Sequence, residues 1–118
     1  MTDQSSVSNS GDMVDLLARL INGEARGEPY KGQVAVGAVV LNRVRSPLFP
    51  NTIREVIYQG GQFTPVATGV FARALANGVP ESCYEAARAA LAGENPVGNC
   101  LFFQRGGSGM QIGDHRFR

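Results

Sequence analysis

Hydrophobic positions recur at helical spacing from residue 13 onward. At about 100° per residue, Met13, Leu16, Leu17, Leu20 and Ile21 share one stripe while Asp15 and Arg19 face away, the pattern of an amphipathic helix. Asp12 suits its N-cap, and Gly27 followed by Pro29 marks its end. Residues 1–11, rich in Ser, Asn, Asp and Gln and without periodicity, read as a flexible tail ahead of one domain spanning 12–118. A second helix over 30–44 is apolar on every face through residues 34–41, which predicts a central element. Its Gly32, Ala35, Gly37 and Ala38 would let neighbours approach closely. Pro47 and Pro50 set a loop, and Asn51 or Thr52 caps a short helix through residue 58. Residues 66–78 are weakly helical. Pro80 then opens a clear helix, with Cys83, Ala86, Ala87, Ala90 and Leu91 on its buried stripe and Gly93 as its stop. Residues 100–104 and 111–117 have β-forming composition on either side of a glycine-rich turn at 106–109, a hairpin signal. The expected class is α+β, mainly helical with a small C-terminal antiparallel β-hairpin.

One charge falls in the wrong place for a plain amphipathic helix. Glu24 lies seven residues after Leu17 and four after Leu20, so it continues the apolar stripe in the helix's last turn. A carboxylate there either pairs with Arg26, Arg43 or Arg45, or is partly desolvated and kept protonated as a general acid, as in glycosidases. Arg43, at the end of the apolar second helix, either caps that helix's carbonyls or meets Glu24 or a substrate. The segment 59–66 turns on two glycines and then extends into Pro65. Tyr58 and Phe63 beside Gln62 and Thr64 would suit a sugar ring, the aromatics under its C–H faces and the polar groups at its hydroxyls; an ordinary core role for Phe63 is the alternative. His115, the single histidine, is read as structural or solvent-exposed, although it could serve as a base.

Composition narrows the classes further. The eleven basic residues are scattered against ten acidic ones, so no basic arm or stripe points to nucleic acid. The longest apolar run is about half of a membrane span, and no export signal is visible. Cys83 and Cys100 form no ligand cluster, so a zinc site is not expected, and no other metal or cofactor is implied; they read as buried thiols, with a disulfide as the alternative.

The run LLARLINGEARGEPYKGQVAVGAVVLNRVRSPLFPNTIREVIYQGGQFTPV resembles the catalytic domain of SleB-type spore-cortex-lytic enzymes and related cell wall hydrolases. The likeness extends from about residue 12 to 101, with a weaker echo at IGDHRF near the C-terminus. EARGE, VVLNRV, FP and QFTPV are specific in combination. The resemblance implies a lysozyme-like fold and cleavage of peptidoglycan glycan strands between N-acetylmuramic acid and N-acetylglucosamine. It also implies that Glu24, the first glutamate of EARGE, is catalytic, and that the enzyme is a lytic transglycosylase forming anhydro-muramic ends. A single acid suffices there, because the attacking hydroxyl belongs to the substrate. The alternatives are a muramidase that uses water and Glu28 as a second carboxylate, and a non-catalytic glycan-binding module. Glu28 is otherwise a structural or substrate-orienting residue. Gly23 stands where the family usually has alanine, and the region between the final strands is shorter than usual. The expected protein is a monomer acting on the cell wall outside the cytoplasm, released through a removed signal or by a phage-type route.

Overall fold

The structure is a computed structural model that describes residues 2–59, 63 and 78–118. Among the described residues four helices precede a small sheet: α1 (Thr2–Ala25), α2 (Tyr30–Arg45), α3 (Ile53–Tyr58), α4 (Glu81–Leu91), β1 (Phe103–Arg105), β2 (Met110–Ile112) and β3 (His115–Phe117). The expected weak helix over 66–78 lies, apart from Gly78, outside the described residues.

The apolar stripe of α1 is buried as its spacing predicts, with Leu17, Leu20 and Ile21 fully enclosed. Its start differs from the expectation. Helical backbone begins at Thr2, so Asp12 is an interior residue and not the N-cap. Residues 2–10 contain no proline, and Ser, Asn or Asp inside a helix costs only about 0.5 kcal/mol each, too little to force a start at Asp12.

The all-apolar α2 is central. Residues Val34, Val36, Val39 and Val40 are fully enclosed, and α2 packs against α1, α3 and α4. Three helices meet closely at Gly37: a Cβ built there would lie 3.0 Å from the Ala90 Cβ of α4 and 3.4 Å from Ile21 of α1. The missing side chain is thus what allows the approach. Also on α4, the Tyr84 hydroxyl donates to Asp15 of α1 at 2.9 Å, and Asp15 also pairs with Arg19 at 2.8 Å. Of the two cap candidates for α3, Thr52 is the one used: its hydroxyl oxygen accepts from the Glu55 amide at 3.1 Å.

The sheet corrects the hairpin expectation. It has three antiparallel strands in the order β1-β3-β2. The single strand expected over 111–117 is folded on itself at Gly113, whose φ of 60° is open to glycine at little cost. The central strand β3 pairs Phe117 with Phe103 and His115 with Arg105 on one side, and His115 with Ile112 on the other. A side chain at Gly113 would collide with the Glu28 carboxylate, whose Oε1 accepts the Asp114 amide at 2.9 Å. The loop between α1 and α2 therefore holds the tip of the β2–β3 turn, and the sheet is fixed against the C-terminal end of α1.

Candidate active site

Glu24 reaches solvent through a cleft of about 410 Å³ between the last turn of α1 and the sheet. It is half-buried, one residue before α1 ends. Gly23 lies beside it on the cleft wall. Phe63 and Phe103 form the apolar side, with ring centroids 6.0 Å apart and planes 28° from parallel. The polar rim comes from Gln104 and Arg105 on β1, and the imidazole of His115 on β3 closes the wall. Among the described residues lining the cleft, Glu24 is the one carboxylate.

Arg43 lies behind this wall and is almost fully buried. Its Nε donates to the Leu101 carbonyl at 2.7 Å, so it serves the segment before β1 rather than capping α2 through that atom. The guanidinium carbon sits 4.7 Å from the ring centre of Phe49, 5.0 Å from that of Phe63 and 5.3 Å from that of Phe102, a cation held among aromatic faces. Burial pushes Arg43 below the usual guanidinium range, while the Glu24 carboxylate acts in the opposite direction. The adjacent Asn42 donates to the Gly98 and Cys100 carbonyls at 2.7 and 2.9 Å, so the polar end of α2 fastens the chain entering the sheet.

The structure separates the other expected site residues. Phe63 is both buried and a cleft residue, so the two readings of it describe one position. Tyr58 is half exposed at the end of α3, with Arg54 over its ring, and does not line the Glu24 cleft. Gln62 and Thr64 lie outside the described residues. Glu28 is 8% exposed and is taken up by the Asp114 amide; it too does not line the cleft, so its visible work is structural.

Of the two readings of His115, structural or solvent-exposed, its burial agrees with the first. It is 3% exposed, its ring is edge-on to Phe103 and Phe117, and its Nδ1 has no hydrogen-bond partner among the described residues. Burial disfavours its charged form and lowers its pKa from the ordinary 6.5; Glu28, Glu24 and Asp114 act the other way, and Arg105 acts with burial. Phe103, Gln104, Arg105 and His115 were not singled out as cleft residues from sequence. The available signal was the period of two in HRF, which puts His115 and Phe117 on one face. Both cysteines are free thiols, Cys83 buried and Cys100 partly so. Among the described residues no cluster of His, Cys, Asp and Glu could hold a metal ion, and no helix is long and apolar enough to cross a membrane.

The family model described as Cell Wall Hydrolase matches residues 27–117, most of the chain. The chain belongs to the cell wall hydrolase family. It is 57% identical over 60 residues to a spore cortex-lytic enzyme of Bacillus subtilis, covering 51% of this chain and 20% of that protein. It is 44% identical over 90 residues to the spore cortex-lytic enzyme of Oceanobacillus iheyensis, covering 76% of this chain and 31% of that protein. The chain therefore spans only a fifth to a third of these relatives. Among solved structures it is similar to the catalytic domain of the germination-specific lytic transglycosylase SleB of Bacillus anthracis, with TM-score 0.73 and 36% identity over 88% of this chain and 91% of that one. The SleB catalytic domain of Bacillus cereus matches equally well, at TM-score 0.73 and 36% identity over 91% of this chain and 89% of that one. The mainly helical, lysozyme-like fold with a small antiparallel sheet is that of the SleB catalytic domains. Glu24 lies just ahead of the stretch matched by the family model, so its placement here rests on the helix and the cleft.

Proposed function

We propose that this cell wall hydrolase cleaves peptidoglycan glycan strands between N-acetylmuramic acid and N-acetylglucosamine as a lytic transglycosylase, with Glu24 as acid and base. The observation that carries the reading is one carboxylate facing a cleft walled by two near-parallel aromatic rings. Aromatic faces receive the C–H faces of a sugar, while Gln104 and Arg105 offer donors to its hydroxyl and acetamido oxygens. The Glu24 carboxylic acid gives its proton to the glycosidic oxygen as the C1–O bond breaks. The 6-hydroxyl oxygen of the same muramic acid bonds to C1, and its proton passes to the Glu24 carboxylate. The acid is restored and a 1,6-anhydro end is left, with no water consumed. One carboxyl group completes this cycle because the nucleophile is already part of the substrate. Arg43 offers a fixed positive charge to the carboxylate that exists between the two transfers.

This reading places the site of action on the wall, outside the cytoplasmic membrane. The test is digestion of purified peptidoglycan by the wild-type chain and by Glu24→Gln, with the soluble fragments weighed by mass spectrometry. Fragments lighter than the hydrolytic product by one water, absent with Glu24→Gln, are expected. Ordinary reducing ends would mean a muramidase that uses water. Binding of glycan without cleavage, unaltered in Glu24→Gln, would mean a glycan-binding module.

A further inference from the structure

The cleft touches three consecutive residues of β1: Phe103, Gln104 and Arg105. Successive side chains of a strand point to opposite faces of its sheet, so a cavity that meets all three runs along the strand's edge. β1 has such an edge, because in the order β1-β3-β2 one of its two sides is unpaired. The main-chain bonds identify the groups exposed there. Phe102 and Arg118 exchange both of theirs, at 2.9 and 3.0 Å, and so form a hydrogen-bonded pair. In the register that sets Phe103 against Phe117, Gln104 against Arg116 and Arg105 against His115, alternation makes Gln104 and Arg116 the next such pair. The N–H and C=O groups of Phe103 and Arg105 therefore point away from β3, and no group among the described residues bonds to them. The Leu101 carbonyl, before them in the chain, is already taken by Arg43.

We propose that the open edge of β1 receives the peptide stem of muramic acid, whose first residue pairs with the main chain of Arg105 while the sugar lies on the rings of Phe63 and Phe103. This rests on the reading of the cleft as the place where glycan strands are cleaved, and it adds the part of the substrate that is held besides the sugar. Geometry selects the stem over the acetamido groups that the sugars also carry. A trans amide directs its N–H and C=O to opposite sides, so an acetamido group can meet one of the two edge groups of Arg105 but not both. An amino-acid residue standing between two amides directs its own N–H and C=O to the same side, as one strand residue does to its partner. The first residue of a stem, between the lactyl carbonyl and the next amide, is such a residue. Charge agrees with this choice. The stem is anionic, and the Arg105 guanidinium is exposed and only loosely paired with Asp114, at 3.6 Å.

The test compares cleavage of stem-bearing glycan strands with that of strands stripped of their stems by an amidase. The wild type is expected to prefer stem-bearing strands by about tenfold in kcat/KM, the equivalent of two ordinary hydrogen bonds. Arg105→Pro removes the outward N–H and leaves the ladder bonds of Gln104 in place, a substitution that an edge strand tolerates. Beside Arg105→Ala, which keeps that N–H, it should lose a further fivefold or so on stem-bearing strands and nothing on stripped ones. Equal rates of the wild type on both substrates overturn the proposal, as does an Arg105→Pro variant that matches Arg105→Ala on stem-bearing strands. A measurement on the wild type alone guards against misfolding of the proline variant. In the NMR spectrum the Arg105 amide should shift on titration with N-acetylmuramyl-L-alanyl-D-glutamic acid and stay in place with N-acetylmuramic acid; the same response to both overturns the pairing. Cleavage of neither substrate sinks the reading of the cleft and this proposal with it, whereas equal cleavage of both sinks this proposal alone.

Discussion

Substitution of Glu28 separates its structural work from chemistry. In Glu28→Ala the Asp114 amide loses a charged acceptor at 2.9 Å, and the β2–β3 turn loses the contact that holds it to the α1–α2 loop. A hydrogen bond to a charged group contributes about 1.5–3 kcal/mol. For a chain of 118 residues each kcal/mol shifts the melting temperature by roughly 4 °C, so a fall of about 6–12 °C is expected. Glu28→Gln keeps an oxygen in the same place, and the bond becomes a neutral one of about 0.5–1.5 kcal/mol. Its loss should be about half as large, near 4 °C. The turn carries Asp114 directly into His115, so Glu28→Ala should also impair cleavage by loosening the cleft wall. Glu28→Gln should still cleave, with the same products as wild type.

The assay is thermal unfolding followed by circular dichroism, run beside peptidoglycan digestion for both variants. Two results would refute the reasoning. Equal melting temperatures for wild type and Glu28→Ala would show that the hydrogen bond contributes nothing. A well-folded Glu28→Gln without cleavage would make Glu28 a participant in the reaction and return the water-using muramidase to first place.

Gly37→Val should destabilise the domain by about 1–3 kcal/mol, because branched carbons would meet Ala90 and Ile21 where α1, α2 and α4 converge; urea unfolding measures it, and a neutral result would show that the helices can move apart freely. Cys100 should react with a thiol reagent well before Cys83, whose thiol is buried in α4 and pushed up in pKa chiefly by that burial; equal rates in the folded protein would contradict the packing of α4. Stability should also depend on His115. Its folded-state pKa is lowered from 6.5, so between the two values the unfolded chain binds the extra proton. Stability should therefore fall as pH is lowered through that window and be fully present above it, and His115→Phe should flatten the slope seen in unfolding free energy against pH.

The helices were legible because each is written in a local pattern. The stripe of α1, the unbroken apolar middle of α2, the Thr52 cap and the Pro80 start all appear where their residues predict. Glu24 was legible for the same reason: its place on the stripe of α1 is set by spacing within one element. The N-terminal boundary was not, because residues 2–10 carry neither a strong helix signal nor a proline to forbid one. The sheet was misread by one turn. Gly113-Asp114 is a short turn signal, and it is decisive only with the Glu28 carboxylate, a partner 86 positions away from Asp114, to accept the turn's amide.

That long-range dependence also explains why the walls of the cleft were harder to find than its carboxylate. Glu24 belongs to a helix whose position is fixed by an apolar core, whereas Phe103 and His115 belong to three-residue strands with little core of their own. Their placement depends on polar fastenings from elsewhere: Asn42 to Gly98 and Cys100, Arg43 to Leu101, and Glu28 to Asp114. Each fastening starts from the end of a helix or the loop after it and accepts from or donates to backbone in or leading to the sheet. A buried polar residue near a helix end, such as Arg43 or Glu28, is thus a sequence signal for where the next layer attaches. It is at this seam between a rigid helical core and a fastened sheet that the carboxylate, the aromatic rings and the buried imidazole come together.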